Sequence, residues 1–125
     1  MDKTPPELHP FCMSLCGATH VVQWGGSDVY KVGGKVFAIA VTGPDNDVRV
    51  TFKASETSFE MLKGEPGMRP APYLASRGFT WLQWFDERTL DAPALRDYVR
   101  QSHAMVMAGL SKKKRLALQA PPLPE

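Results

Sequence analysis

The sequence is poor in the residues that mark disulfide-bonded and metal-binding proteins. Its 125 residues include two cysteines, Cys12 and Cys16, and three histidines. The cysteines are four residues apart in a predicted helix, where a mutual disulfide is geometrically unfavourable, so we expect both thiols to be reduced. His9 shares their predicted helix face, but Cys12 belongs to the apolar stripe and a structural zinc site needs four ligands. We therefore expect no metal site.

The sequence also lacks long apolar runs and a strong excess of charge. No run approaches the roughly 20 apolar residues that a membrane helix needs, and no apolar signal core follows the N-terminal MDKTPPEL, so we expect a cytoplasmic protein without a membrane segment. Fifteen basic and 13 acidic residues give a net charge of +2. Bulk charge therefore does not identify a nucleic-acid binder, although Lys112 to Arg115 form a basic run.

The first half of the chain predicts a helix followed by a β-sheet. Thr4 to Glu7 fits a helix-capping box, Leu8, Phe11, Cys12 and Leu15 have helical spacing, and Gly17 is a typical helix end. The β-rich runs that follow are separated by glycine-rich or aspartate-rich turns, and they predict strands over residues 20–24, 28–32, 35–41 and 48–53.

The second half predicts a helix capped by Ser55, a strand over residues 79–84 and a long final helix that begins near Asp91. Residues 70–74 are rich in proline, and we expect a turn or a short single helical turn there. The order of elements predicts an α+β two-layer sandwich, in which an antiparallel sheet of four to five strands has helices packed mainly on one face. We predict a single domain over residues 1–115 and a flexible proline-rich tail over residues 116–125.

Gly33-Gly34 predicts a tight hairpin, because glycine adopts positive φ at both central positions of a type I′ turn. A two-residue turn pairs Val32 with Lys35 and Tyr30 with Phe37. The requirement that apolar residues share a face then pairs Val41 near Val48. The predicted apolar face holds Tyr30, Phe37, Ile39, Val41, Val48, Val50 and Phe52.

The same register predicts a basic row on the opposite face, formed by Lys31, Val36 and Lys53. The next rows would contain Val29, Ala38 and Thr51, and then Ala40 with Arg49. Such a surface would present lysines to phosphate oxygens above a floor of small side chains. The alternative is that these cations are the solvated side of a two-layer sheet.

Several motifs in this order resemble the MmcQ/YjbR-like proteins: Gly17-Ala18-Thr19, Trp24-Gly25, residues 29–38, Phe52-Lys53, residues 66–74, Ser102, and Leu110 with Lys112-Lys113. The resemblance covers nearly all of residues 12–114. It implies a two-layer α+β sandwich similar to secretion-chaperone-like proteins. It also implies DNA binding through a double-wing arrangement of hairpins.

The sequence gives little support to an enzyme. Ser102 and His103 are adjacent on a predicted helix, so their side chains point in different directions, and no nucleophile elbow accompanies them. Gly33-Gly34-Lys35 lacks the glycine spacing and the following Ser or Thr of a phosphate-binding loop. We therefore predict a protein without catalytic residues or a cofactor.

The leading prediction is a small DNA-binding module with weak sequence specificity. The predicted contact residues are Lys31, Lys35, Arg49, Lys53, Arg69, Lys112 and Lys113. The basic run from Lys112 is most simply the solvated end of the final helix, where positive charge complements the helix dipole. The alternatives are a protein-interaction or chaperone-like module that uses the same face or exposed Trp81 and Trp84, and a binder of small anions. We expect a monomer or a weak homodimer.

Overall fold

A computed structural model describes residues 7–43, 47–72 and 78–119 of the chain. The helices are α1 (Leu8–Ser14), α2 (Glu56–Leu62), α3 (Ala92–Ala108) and α4 (Lys112–Gln119). The strands are β1 (Ala18–Gln23), β2 (Ser27–Val32), β3 (Lys35–Thr42), β4 (Val48–Lys53), β5 (Met68–Pro70) and β6 (Trp81–Trp84). The predicted α+β class is confirmed. None of the described helices is long and apolar enough to cross a membrane.

The sheet has six antiparallel strands in the order β1-β2-β3-β4-β6-β5, rather than four to five. The additional strand is β5, which pairs Arg69 with Gln83 and Pro70 with Leu82. The expectation of a turn from Pro70 onward missed this strand, because a proline is tolerated at the end of an edge strand. Residues 73 and 74 of the expected turn lie outside the described residues.

Helix α1 is shorter than the sequence predicts. It begins at Leu8 with Glu7 as its N-cap, and the predicted cap at Thr4 lies outside the described residues. Leu8 and Cys12 are buried, and Phe11 and Leu15 pack against the core. The helix ends at Ser14, so Cys16 lies beyond it.

The final helix is two helices. Asp91 caps α3 as predicted, accepting a hydrogen bond from the Ala94 amide at 3.0 Å, and α3 ends at Ala108 with Gly109 as its C-cap. Ser111 then caps α4 through the Lys114 amide at 3.2 Å. The basic run therefore begins a new helix, and its assignment to the end of the long helix was wrong. Residues 116–119, which the sequence assigned to the tail, belong to α4.

The β2–β3 hairpin contains a bulge that the sequence did not predict. Gly33 and Gly34 have φ of 58° and 82°, and Val32 pairs with Lys35 as expected. Lys31 pairs with Val36, but Tyr30 pairs with Ala38, so Phe37 is the extra residue. The predicted pairing of Tyr30 with Phe37 was therefore wrong.

The bulge shifts the rest of β3 by one residue relative to the prediction. Val41 pairs with Arg49 rather than near Val48, and Ala40 pairs with Val50. Ala38 and Ala40 consequently lie in the core, whereas Ile39 and Val41 lie on the opposite, outer face. All four helices contribute side chains to the core face, including Leu8, Leu62, Leu95, Val99 and Leu118.

Candidate nucleic-acid interface

A cleft of about 440 Å³ opens where the C-terminal end of α3 meets the start of β3, the end of β4 and the start of β6. We call it the basic cleft. Two of its lining residues are lysines, and none is acidic. The lining residues are Lys35, Val36, Lys53, Phe79, Trp81, Met105, Val106, Gly109 and Leu110.

The hairpin turn positions Lys35 at the cleft by packing against Leu110. A Cβ atom added to Gly33 would lie 2.5 Å from the Leu110 Cδ1 atom, which is closer than two carbon atoms can approach. Both the positive φ and the close approach of Leu110 therefore favour glycine at this position, and a larger residue would force Leu110 to shift. The contact fixes the hairpin tip against the corner between α3 and α4.

Ser102 attaches α3 to the sheet directly beneath the cleft. Its hydroxyl donates to the Phe37 carbonyl at 2.7 Å and accepts from the Lys53 amide at 2.9 Å. These two backbone groups lie next to the Ala38–Phe52 pair, where the bulge interrupts the ladder. The buried serine thus satisfies both groups and fixes the Lys53 backbone.

Two aromatic side chains line the cleft beside the lysines. Phe79 is 50% exposed and Trp81 is partly exposed. Trp84, by contrast, is buried and donates from Nε1 to the Leu90 carbonyl at 2.8 Å. The expectation that Trp84 is an exposed aromatic was wrong, because alternation along β6 directs Leu82 and Trp84 into the core.

Three further lysines from the predicted set lie at the margins of the cleft. Lys31 is paired with Val36, which lines the cleft. Lys112 and Lys113 are exposed and begin α4 just after Leu110. The structure therefore gathers five of the seven predicted cations around one end of the sheet.

The two predicted arginines lie elsewhere. Arg49 is near the opposite end of β4 from Lys53 and forms an ion pair with Asp47 at 3.4 Å. Arg69 on the edge strand β5 donates from Nε to Gln83 at 2.6 Å, and its guanidinium lies 5.6 Å from the Phe85 ring centre. Tyr73, four residues further along the proline-rich segment, lies outside the described residues.

The middle of the outer face is not the floor of small side chains that the sequence predicted. The central row pairs Val29, Ile39, Thr51 and Gln83 across four strands. Val29, Thr51 and Gln83 are buried, with 0%, 6% and 8% of their surface exposed. The predicted alanine floor was wrong because the bulge at Phe37 turns both alanines into the core.

Ser102 and His103 do not form a catalytic pair. The His103 Nε2 atom donates to the Cys16 carbonyl at 2.7 Å, while the Ser102 hydroxyl bonds to β3 and β4. Burial raises the pKa of the Cys12 thiol to about 12, which disfavours the nucleophilic thiolate. Across residues 7–43, 47–72 and 78–119, no three His, Cys, Asp or Glu side chains form a group that could hold a metal ion.

Sequence reasoning missed the contribution of Phe79 and of the end of α3 to the cleft. One signal was available, because Phe79 and Trp81 are two residues apart in a predicted strand and such residues share a face. The α3 residues gave no such signal. Met105, Val106 and Leu110 have the spacing of ordinary core residues, and only the packing of α3 on the sheet shows that they reach the cleft.

The YjbR family model matches residues 13–105, which is more than half of the chain. The chain belongs to the YjbR family. The matched region includes β1 to β6 and most of α3, with Lys31, Lys35, Lys53 and Trp81, whereas Leu110 and α4 follow it.

Among solved structures, this YjbR-family chain is similar to the Deinococcus radiodurans protein DR2400, described as containing a DUF419 domain. The TM-score is 0.77 at 23% identity, and the alignment covers 98% of this chain and 96% of that one. The similarity establishes a shared fold. A search among curated proteins gives no significant match.

Proposed function

We propose that this YjbR-family protein is a non-enzymatic DNA-binding module that contacts the phosphate backbone with little sequence preference. The observation that carries the proposal is the convergence of Lys35 and Lys53, from two strands, on one cleft without an acidic lining residue. Lysine ammonium groups bind phosphate oxygens, and such contacts supply affinity that is independent of base sequence. The resemblance to MmcQ/YjbR-like proteins, which implies DNA binding, supports the same ligand class.

The β2–β3 hairpin is the proposed wing. It carries Lys31 before the turn and Lys35 after it, and the contact between Gly33 and Leu110 holds its tip against the α3–α4 corner. A wing fixed in this way loses little conformational freedom when it contacts a phosphate backbone, and this favours binding.

Helix α4 extends the basic surface beyond the cleft. Lys112 and Lys113 lie in its first turn, where the helix dipole is also positive. Cations at this end of a helix are unfavourable in the free protein, but a phosphate group would be stabilised by both the side chains and the dipole. We therefore include these lysines in the proposed interface and exclude Arg49 and Arg69.

The non-enzymatic part of the proposal is supported by the hydrogen bonds of the candidate residues. Ser102 and His103 are both buried and bonded to the backbone, and Cys12 is buried with a raised pKa. These side chains serve the packing of α1 and α3 on the sheet, and none of them lines the basic cleft.

The test is fluorescence anisotropy with a labelled duplex of about 20 base pairs, whose roughly 40 phosphates exceed the five proposed lysine contacts, at several salt concentrations. Five phosphate contacts predict a slope of log K against log salt on the order of −4. The double variant Lys35→Ala/Lys53→Ala should bind more weakly, with a slope smaller in magnitude by about 2. The control Lys63→Ala/Arg88→Ala removes the same charge from residues outside the cleft and should leave the slope unchanged.

Two results would contradict the proposal. One is the absence of binding at low salt, on the order of 50 mM, where phosphate contacts are strongest. The other is an equal loss of affinity in both double variants, because net charge rather than the cleft would then determine binding. A third variant, Arg49→Ala/Arg69→Ala, should behave like the control. A loss of affinity in the arginine variant would show that DNA binds at the outer face of the sheet instead of at the basic cleft.

A further inference from the structure

The two edges of the sheet differ in how they are protected from pairing with another strand. The β5 edge has three residues and ends at Pro70, which has no N–H group to donate. The β1 edge has six residues, Ala18–Gln23, without a proline or a charged residue other than the titratable His20. It pairs with β2 without a bulge, and in the described part of the chain it has no strand on its other side. A long, regular and uncharged edge strand readily pairs with another strand.

Apolar side chains at the end of β1 are unusually exposed. Val21 and Val22 point to opposite faces of the sheet, and they are 39% and 58% exposed. Trp24, directly after the strand, is 62% exposed. Both faces of this edge therefore offer apolar surface that a pairing strand would cover.

Trp24 is held outward by an unusual backbone conformation. Its φ is 53°, in the left-handed region that bulky L residues rarely adopt, and Gly25 and Gly26 continue the turn with positive φ. Strained residues of this kind concentrate at functional sites, and exposed tryptophans are frequent anchors of protein interfaces. The conformation of Trp24 thus supports an interface at this edge.

We propose that two copies of the chain associate through antiparallel pairing of their β1 strands. The two-fold axis must be perpendicular to the sheet, so that the six strands of each copy continue into one sheet with the helices on the same side. Residues that face each other across antiparallel strands point to the same face of the sheet. The two-fold axis must therefore pass through a residue that faces its own copy. Because β1 spans Ala18–Gln23, the two registers that pair most of the strand place His20 or Val21 on the axis. In both registers, Trp24 reaches past the end of the partner's β1, near Gly17 and Ala18, where Leu118 of α4 packs against Gly17 and offers the indole an apolar contact.

A second copy fits this edge better than a charged partner strand does. The residues of β1 have no fixed charge, so pairing of two β1 strands does not place like charges opposite each other. A charged partner strand would find no residues of opposite charge on β1. Pairing by symmetry uses both β1 edges, and the short β5 edge does not continue the sheet. The assembly should therefore stop at a dimer. This inference is independent of DNA binding.

Sedimentation equilibrium between about 1 and 200 µM tests the dimer, because this range brackets the dissociation constants of small, weak interfaces. The wild-type chain should show a monomer–dimer equilibrium. Val22→Lys places a charge in the interface and should raise the dissociation constant by about thirtyfold or more. Met61→Lys is the matched control, since Met61 is similarly exposed, at 62% against 58% for Val22, but lies on α2. It should leave the equilibrium unchanged.

Trp24→Gly provides a second variant that keeps the fold, because glycine adopts the required φ without strain. It should weaken the dimer as Val22→Lys does, and circular dichroism should show an unchanged fold. A wild-type chain that is monomeric throughout this range overturns the proposal. So does equal dissociation by Met61→Lys, or a dimer that Trp24→Gly leaves intact.

Discussion

Gly33 lies where the β2–β3 hairpin contacts the corner between α3 and α4, and its substitution has two separate costs. Alanine at φ 58° costs about 1–2 kcal/mol in the left-handed region. An added Cβ would also lie 2.5 Å from Leu110 Cδ1, so Leu110 would have to move. We expect Gly33→Ala to lower the free energy of unfolding by more than about 2 kcal/mol, measured by urea denaturation.

Gly34→Ala is the control for this prediction. Gly34 also has positive φ, but no atom lies within 4 Å of an added Cβ, so only the backbone cost of about 1–2 kcal/mol applies. Equal losses in the two variants would show that the Leu110 contact adds nothing to stability.

Ser102 illustrates a residue whose identity was visible in the sequence but whose role was not. The resemblance singled it out, and its adjacency to His103 invited comparison with hydrolases. In the structure its hydroxyl instead replaces a ladder bond between Phe37 and Lys53. Because the bulge creates the gap that Ser102 fills, its role depends on strand pairing 49 and 65 residues away in the chain.

Among the elements, α4 has lysines in its first turn, where the positive end of the helix dipole repels their charges. Lys113→Glu should therefore stabilise the protein slightly, by about 0.5 kcal/mol, while weakening DNA binding at the proposed interface. Urea denaturation and anisotropy measure the two effects. We expect stability to rise and affinity for DNA to fall. A variant that merely unfolds α4 would instead lose both stability and affinity.

Lys113→Gln is the control that separates loss of charge from its reversal. Both effects should be about half as large as in Lys113→Glu, because glutamine removes the positive charge without adding a negative one. An unchanged affinity in both variants would remove α4 from the proposed interface.

The elements also show where the sequence pattern was ambiguous. In β3, Phe37, Ile39 and Val41 alternate with Ala38 and Ala40, and bulk alone favours the larger set for the core. The structure instead buries Phe37 together with both alanines, because the bulge changes the alternation after Phe37. Small side chains there allow α3 to approach β3 closely enough for Ser102 to bond to Phe37.

For the whole molecule, two buried groups in the core predict weaker stability in alkali. Burial raises the pKa of Cys12 from 9.0 to about 12, and burial with nearby Cys12 and Asp28 raises the pKa of Tyr30 above its usual value. Above pH 9 the unfolded chain releases the Cys12 proton while the folded chain retains it. The free energy of unfolding should therefore fall by about 1.4 kcal/mol per pH unit from this group, with Tyr30 adding to the fall above pH 10.

Urea denaturation between pH 8 and 10 measures this slope. Cys12→Ala should lower the stability at pH 8, since it removes a buried side chain, but its stability should vary less with pH up to 10. An unchanged slope in Cys12→Ala would assign the pH dependence to other groups.

The sequence by itself determined most of the elements and the hairpin turn, but not β5 or the division between α3 and α4. Local signals sufficed for these features, because helical spacing, the Asp91 and Ser55 caps and the Gly33-Gly34 turn act between residues close in the chain. The motifs that resemble MmcQ/YjbR-like proteins also identified the family to which the chain belongs. The lysines were likewise visible, but only as separate positions along the chain.

The tertiary structure decided which of those lysines meet, which strand edge is open and which residues are core. The bulge at Phe37, the break between α3 and α4 and the contact between Gly33 and Leu110 depend on packing between residues distant in the chain. A one-residue shift in register reverses the face of every later side chain in a strand, so a single unpredicted bulge moved Ala38 and Ala40 from the expected outer surface into the core, while the packing of α3 on the sheet formed the cleft.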